Sequence, residues 1–232
     1  MVDDLFVGNA VPEAEQGMQM GRMVSLLALG MDIPGMVVNR YCGSGLETIA
    51  IASQRIQAGQ ADVIIAGGTE SMSLVPVMGY KTALNYKIAK ENPTYYTSMG
   101  LTAEEVSRQY KVSREAQDQF SYESHMKAEA AWQAGKFKDE VVPITVKETY
   151  VDEDMKRKTR EYVVDRDEGI RPDTTPEGLA KLKPVFAVGG SVTAGNSSQT
   201  SDGAAFVVVM SDKMVNQLGL KPVARLVSYA TA

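Results

Sequence analysis

The sequence holds a single cysteine and a single histidine in 232 residues. One cysteine excludes an internal disulfide, and a lone Cys with a lone His argues against a His/Cys metal site. An excess of basic residues is lacking too. With 24 Lys+Arg against 29 Asp+Glu the net charge is -5, which argues against a nucleic-acid binder that works by bulk charge but leaves room for a local basic pocket. No apolar run approaches the roughly eighteen residues of a membrane span, and the front end has no basic-then-apolar signal segment. The expected compartment is the cytoplasm, with an organelle matrix as the alternative. What the chain does have is a hydrophobic content of 44%, enough for a buried core.

The pattern along the chain is α/β. Asp3 to Gly8 enters directly into a short apolar segment with no preceding strand to pair with. Met36 to Asn39 suits a buried strand, Gly43 to Ala58 a helix closed by Gly59, and Asp62 to Gly67 a second buried strand. Strand, helix, strand at this spacing is a βαβ unit with parallel strands. Residues 73–101 are loop-rich. Thr102-Ala103-Glu104-Glu105 matches a capping box with Thr102 as N-cap. A longer helix is expected from Ser113 to Ala134, ended by Gly135. Residues 147–171 are densely charged in both signs, as in a solvated arm or hairpin. Ala204 to Met210 then reads as another buried strand, Ser211 as the cap of a short helix to Leu218, and Pro222 to Tyr229 as a last strand cut short. The chain starts a sheet, leaves it for an inserted segment and returns. The ends suggest a fragment.

Cys42 is the sharpest feature. It falls between a buried strand and the first turn of a helix, flanked by Gly43, Ser44 and Gly45. The unpaired N–H groups of a helix start favour thiolate, and small neighbours let substrate and backbone approach. A core cysteine with glycines chosen for helix–sheet packing fits the same spacing equally well.

The segment Val38-Asn39-Arg40-Tyr41-Cys42-Gly43-Ser44-Gly45-Leu46 closely resembles the acyl-enzyme signature of thiolases. Further segments are similar to that family in the same order. They are Ala66 to Ser73, Met99 to Glu104, Ser113 to Phe120, Gly135 to Glu140, Val192 to Ser198 and Ser201 to Ala205. The resemblance implies a thiolase-like layered α/β fold, αβαβα in the complete protein, here a partial mixed sheet with an inserted loop domain. It implies residues 1–72 as an N-terminal half incomplete at the front, 73–190 as the loop domain, 191–220 as the return, and 221–232 as the start of a C-terminal half.

By the same resemblance Cys42 attacks a 3-ketoacyl-CoA, releases acetyl-CoA and keeps a thioester that a second CoA removes; the reverse is a Claisen condensation. Coenzyme A and acyl-CoA are then substrates, no metal or resident cofactor is implied, and the chain is expected to form a homo-oligomer. The CoA contacts implied are Arg171 near the nucleotide, and Ser198 and Met99 along the pantetheine. Their alternatives are a solvated arm for Arg171 and a turn former for Ser198. Ser98 stands where many acetoacetyl-CoA thiolases have histidine, which, with Asn196 to Gln199, leans towards the degradative type. His125, in the middle of a helix, is read as a surface or packing residue. The family's Gly-His-Pro, Asn-Glu-x-Phe and Cys-x-Gly segments do not occur in residues 1–232, so the 232 residues alone are expected to be inactive. Two rivals stand beside this reading. One is a non-catalytic truncated relative that at most binds acyl-CoA or a partner subunit. The other is a ketosynthase-type condensing enzyme, against which Asn39-Arg40 and the long insertion speak.

Overall fold

The computed structural model describes residues 1–231. In chain order its elements are β1 Asp4–Gly8, α1 Met20–Ala28, β2 Gly35–Val38, α2 Ser44–Gln57, β3 Val63–Glu70, α3 Tyr86–Glu91, α4 Met99–Tyr110, α5 Arg114–Gln133, β4 Ile144–Val151, β5 Arg157–Val164, α6 Pro176–Ala180, β6 Gly203–Met210 and α7 Asp212–Leu218. The chain divides into two compact units, Met1–Leu84 with Thr200–Ala232, and Asn85–Gln199. The joints read from sequence were 72/73 and 190/191.

The first unit is built on a mixed four-stranded sheet in the order β2-β1-β3-β6. β1 is parallel to both neighbours, and β6 runs antiparallel to β3. Leu5, Phe6 and Val7 are all buried although successive side chains point to opposite faces, so both faces of β1 are covered. Phe6, Ala52, Ile64 and Ala66 form the core, with Ile49, Ile56 and Val209 packed against it. Helix α2 is fastened to the sheet by Thr48, fully buried, whose hydroxyl donates to Gly67 O at 3.1 Å and Gly45 O at 2.7 Å.

Two expectations need correction here. The apolar segment from Asp3 to Gly8 has no preceding strand among the described residues, as read; its partners come from later in the chain and make it an inner strand. β2 and β3 are parallel as expected, but β1 lies between them. β6 is a strand but not a buried one. Phe206, Val207 and Val208 are 37%, 49% and 54% exposed, because little among the described residues covers either face of this edge strand there. Residues 222–229 form no strand, since no other strand among the described residues pairs with them. Tyr229 instead donates its hydroxyl to Glu47.

At its two openings towards residues 71–202 the sheet is latched. Asp202 accepts the Ser73 N–H at 2.9 Å and the hydroxyls of Ser71 and Ser73. These bonds, the Ser73 hydroxyl foremost, hold the Asp202 carboxyl below its usual range.

In the second unit α5 is capped by Ser113, whose side chain accepts from Ala116 N, and is closed by Gly135 at φ +68. β4 and β5 form an antiparallel hairpin, largely exposed, with Arg160 paired to Glu148 across the strands. The capping box expected at Thr102 is absent. α4 begins one turn earlier, with Ser98 as the N-cap accepting from Leu101 N. Thr102 lies inside the helix and donates its hydroxyl to Ser98 O at 3.0 Å, while Glu105 pairs with Arg108. α7 is capped by Ser211 and ended by Gly219, as its sequence indicates.

Candidate active site

Cys42 is exposed and sits in the turn from β2 to α2. Close approach positions that turn. Gly8 ends β1 against the first turn of α2, and a Cβ there would stand 2.6 Å from the Ser44 carbonyl carbon. The residue before the cysteine, Tyr41, adopts φ +47. A non-glycine residue in this left-handed region costs about 1–2 kcal/mol, so the turn must be held by its neighbours. Asn39 Oδ1 accepts the Tyr41 N–H at 2.9 Å. Ser44, buried at 4% exposure, accepts the Arg40 N–H at 2.8 Å and donates its hydroxyl to Tyr41 O. Gly43 N–H reaches Arg40 O at 3.0 Å. Asn39 also donates its amide to Ala10 O at 3.0 Å, which ties the turn to the end of β1.

Arg40 is ion-paired to Glu47 one turn into the helix, at 2.7 Å. Gly43, the N-cap of α2, brings no side-chain acceptor to the first-turn N–H groups. The thiol is thus presented to solvent beside an uncapped helix start, on a turn that four side chains and backbone groups fix in a strained conformation. Sequence reasoning singled out Cys42, Gly43 and Gly45 but not the fastening roles of Asn39 and Ser44. The signal for Asn39 was available: asparagine two residues ahead of a turn residue is an Asx-turn pattern.

The other three candidates lie in the second unit. Met99 is the first residue of α4 and is exposed. Arg171 and Ser198 are exposed as well. Their segments are neighbours: a Cβ on Gly169 would stand 2.8 Å from Gln199 Nε2. The turn before Ser198 is a capping box, with Thr193 fully buried, its N–H bonded to Asn196 Oδ1 at 2.7 Å. Glu104 of α4 accepts the N–H groups of Ser191 and Val192 at 2.9 Å each. Burial raises its carboxyl, but those two N–H groups and the Ser191 hydroxyl outweigh it and leave Glu104 below the ordinary value of 4.5. His125 lies on α5, half-buried, and its Nδ1 accepts the Arg171 N–H at 3.2 Å.

The family model described as Thiolase, N-terminal domain matches residues 1–213. The chain belongs to the thiolase family. Among curated thiolases it is 51% identical over 230 residues to a 3-ketoacyl-CoA thiolase of Bacillus subtilis, covering 99% of this chain and 59% of that one. It is 41% identical over 244 residues to an acetyl-CoA acetyltransferase of Allochromatium vinosum, covering 100% of this chain and 60% of the relative. The crystal structure of the Bacillus anthracis acetyl-CoA acetyltransferase superposes with a TM-score of 0.76 at 35% identity, over 95% of this chain and 57% of that one. The mixed α/β architecture is therefore that of a thiolase, and the chain spans about three-fifths of the length of these relatives.

Within this thiolase chain, no group of three or more His, Cys, Asp or Glu side chains among the described residues is placed to hold a metal ion. No helix among them is long and apolar enough to cross a membrane.

Proposed function

We propose that this chain carries the acyl-accepting nucleophile of a CoA-dependent acyltransferase that cleaves 3-ketoacyl-CoA to acetyl-CoA and a shortened acyl-CoA, or runs the reverse condensation. The observation that carries the reading is the exposed Cys42 thiol on its fastened, strained turn at the start of α2, in a chain of the thiolase family. Cys42 Sγ attacks the 3-keto carbon, the bond between the second and third carbons breaks, and the electron pair leaves on acetyl-CoA, which takes up a proton. The thioester left on Cys42 passes its acyl group to the thiolate of a second CoA. A thiolate suits both halves, being strongly nucleophilic near neutral pH and leaving an activated thioester.

Residues 73–190 are read as the inserted loop domain, which carries Arg171 and Met99, and Ser198 in the return segment 191–220 is the third CoA contact; the existence of a separate compact unit from Asn85 to Gln199 supports an inserted domain. The complete protein is proposed to be a homo-oligomer in the cytoplasm, acting without a resident cofactor. The name of the Bacillus subtilis relative, 3-ketoacyl-CoA thiolase, favours 3-ketoacyl-CoA as the substrate class.

A narrower reading holds for residues 1–232 by themselves. Their one histidine is bonded to the Arg171 backbone, and they contain no second cysteine to move the acetyl proton. Each general acid or base is typically worth about 10²–10⁴-fold in rate, so no thiolysis of acetoacetyl-CoA above a Cys42→Ala control is expected from the 232 residues. Turnover above that control overturns this narrower reading. The nucleophile is tested by mass spectrometry of the Cys42 peptide after incubation of the complete polypeptide with acetyl-CoA. Acetylation at Cys42, absent in Cys42→Ala, is expected; acetylation elsewhere and none at Cys42 refutes the assignment.

A further inference from the structure

α5 carries a polar stripe at Arg114, Asp118, Ser121, His125 and Glu129, spaced three or four residues apart and hence on one face. Each member holds a loop or supports one that does. Arg114 donates to Leu179 O at 2.7 Å and Leu182 O at 3.0 Å, and pairs with Asp118 at 2.7 Å. Asp118, buried, accepts the Asn196 side-chain amide at 2.9 Å. Ser121 donates to Gly195 O at 2.7 Å. Glu129 pairs with Arg166, whose guanidinium also lies over the Trp132 ring.

His125 stands in the middle of this row, and the group it holds is the backbone of Arg171. In this bond the Nδ1 lone pair of His125 faces the Arg171 N–H at 3.2 Å, an acceptor role for that ring nitrogen. We infer that His125 is a positioning residue for Arg171: its Nδ1 fixes the backbone from which the guanidinium reaches the phosphates of the CoA nucleotide. This rests on the reading of Arg171 as a CoA contact. It also gives the lone histidine a role other than that of a base. An arginine on an exposed segment loses rotamer and backbone freedom on gripping a phosphate, and a backbone already anchored loses less.

The test uses the 232-residue chain and three variants. A backbone hydrogen bond of ordinary strength corresponds to roughly two- to tenfold in a local opening equilibrium. His125→Leu is therefore expected to speed amide exchange at Arg171 by about that factor, and to weaken binding of 3′-phosphoadenosine 5′-diphosphate, the probe, by a similar factor. His125→Asn, whose Oδ1 falls close to the position of Nδ1, is expected to restore both. Arg171→Ala is expected to weaken the probe without the Leu variant's cause. Unchanged probe affinity in Arg171→Ala refutes the CoA contact itself, and the exchange measurement then still decides the anchoring. Weaker affinity in Arg171→Ala with unchanged exchange and affinity in His125→Leu overturns the inference, as does failure of His125→Asn to restore exchange. Nitrogen NMR of the unsubstituted chain needs no variant, because there is one imidazole to see: an unprotonated Nδ1 is expected, and a proton on Nδ1 overturns the inference.

Discussion

Two glycines near the start of α2 have opposite expected effects when replaced by alanine. Gly8 is buried at the end of β1, and an added Cβ would lie 2.6 Å from the Ser44 carbonyl carbon and 2.7 Å from Gly45 N. Carbon atoms rest about 3.5–4.0 Å apart, so β1 and α2 must separate by roughly 1 Å. Overpacking of this kind costs about 1–3 kcal/mol. With a urea slope of about 2 kcal/mol/M, the unfolding midpoint should fall by about 0.5–1.5 M. The displaced residue, Ser44, fastens Arg40 and Tyr41, so the alkylation rate of Cys42 by iodoacetamide should change as well. Gly45, inside α2, is the contrast. Its added Cβ would meet nothing nearer than Gly68 N at 4.0 Å, and Gly→Ala within a helix gains up to about 1 kcal/mol. Urea unfolding followed by far-ultraviolet circular dichroism measures both. A Gly8→Ala midpoint equal to or above that of the parent chain refutes the close approach of β1 and α2. A Gly45→Ala midpoint as low as that of Gly8→Ala refutes the open space assigned to Gly45.

Other outcomes follow from both units. Arg114→Ala removes the charged partner of the buried Asp118 and a donor to the Leu179 and Leu182 carbonyls; lost hydrogen bonds to a charged group are worth about 1.5–3 kcal/mol, which a thermal melt of the second unit's helices should show and an unchanged melting temperature would contradict. The depressed Glu104 carboxyl contributes stability that is fully present above its unfolded value of 4.5 and is lost as pH falls through its lower folded value. Protection of the Ser191 and Val192 amides, taken relative to their intrinsic exchange rates, should therefore fall on acidification below that range, and Glu104→Gln should flatten the dependence. Phe6→Ala, at a fully buried core position, should cost about 3–5 kcal/mol, read from the same urea curves.

Elements defined by local chemistry were legible in the sequence, and those defined by distant partners were not. α5 and α7 announce themselves by serine N-caps and terminal glycines, and both stand where expected. The start of α4 was misread because Ser98 and Thr102 both match a cap one turn apart. The tripeptide after Ser98 enters the helix, so the earlier residue captures the end. Strand order carries no local mark: nothing in residues 4–8 says that two later strands will flank them. An apolar run such as 204–210 states its preference for burial but not whether a layer will cover it. The Cys42 turn was legible as a motif, while Tyr41's left-handed backbone and the fastening by Ser44 appear only in three dimensions. The bond from Arg171 to His125 spans 46 residues and uses a backbone N–H, which no residue type encodes.

The antiparallel pairing of β3 with β6 has a topological consequence. Glu70, the last residue of one strand, lies opposite Gly203, the first of the other, so the chain leaves and re-enters the sheet at adjacent points. In connectivity the pair is a hairpin whose tip has been expanded to residues 71–202. Closure entropy rises by only about 0.6 kcal/mol per doubling of loop length, so an expansion of this size is thermodynamically mild, and the Asp202 bonds to Ser71 and Ser73 pin its two ends together. The register of the sheet and the length of the excursion are thus set by different things: strand pairing fixes the first, and a weak dependence of closure entropy on length tolerates the second.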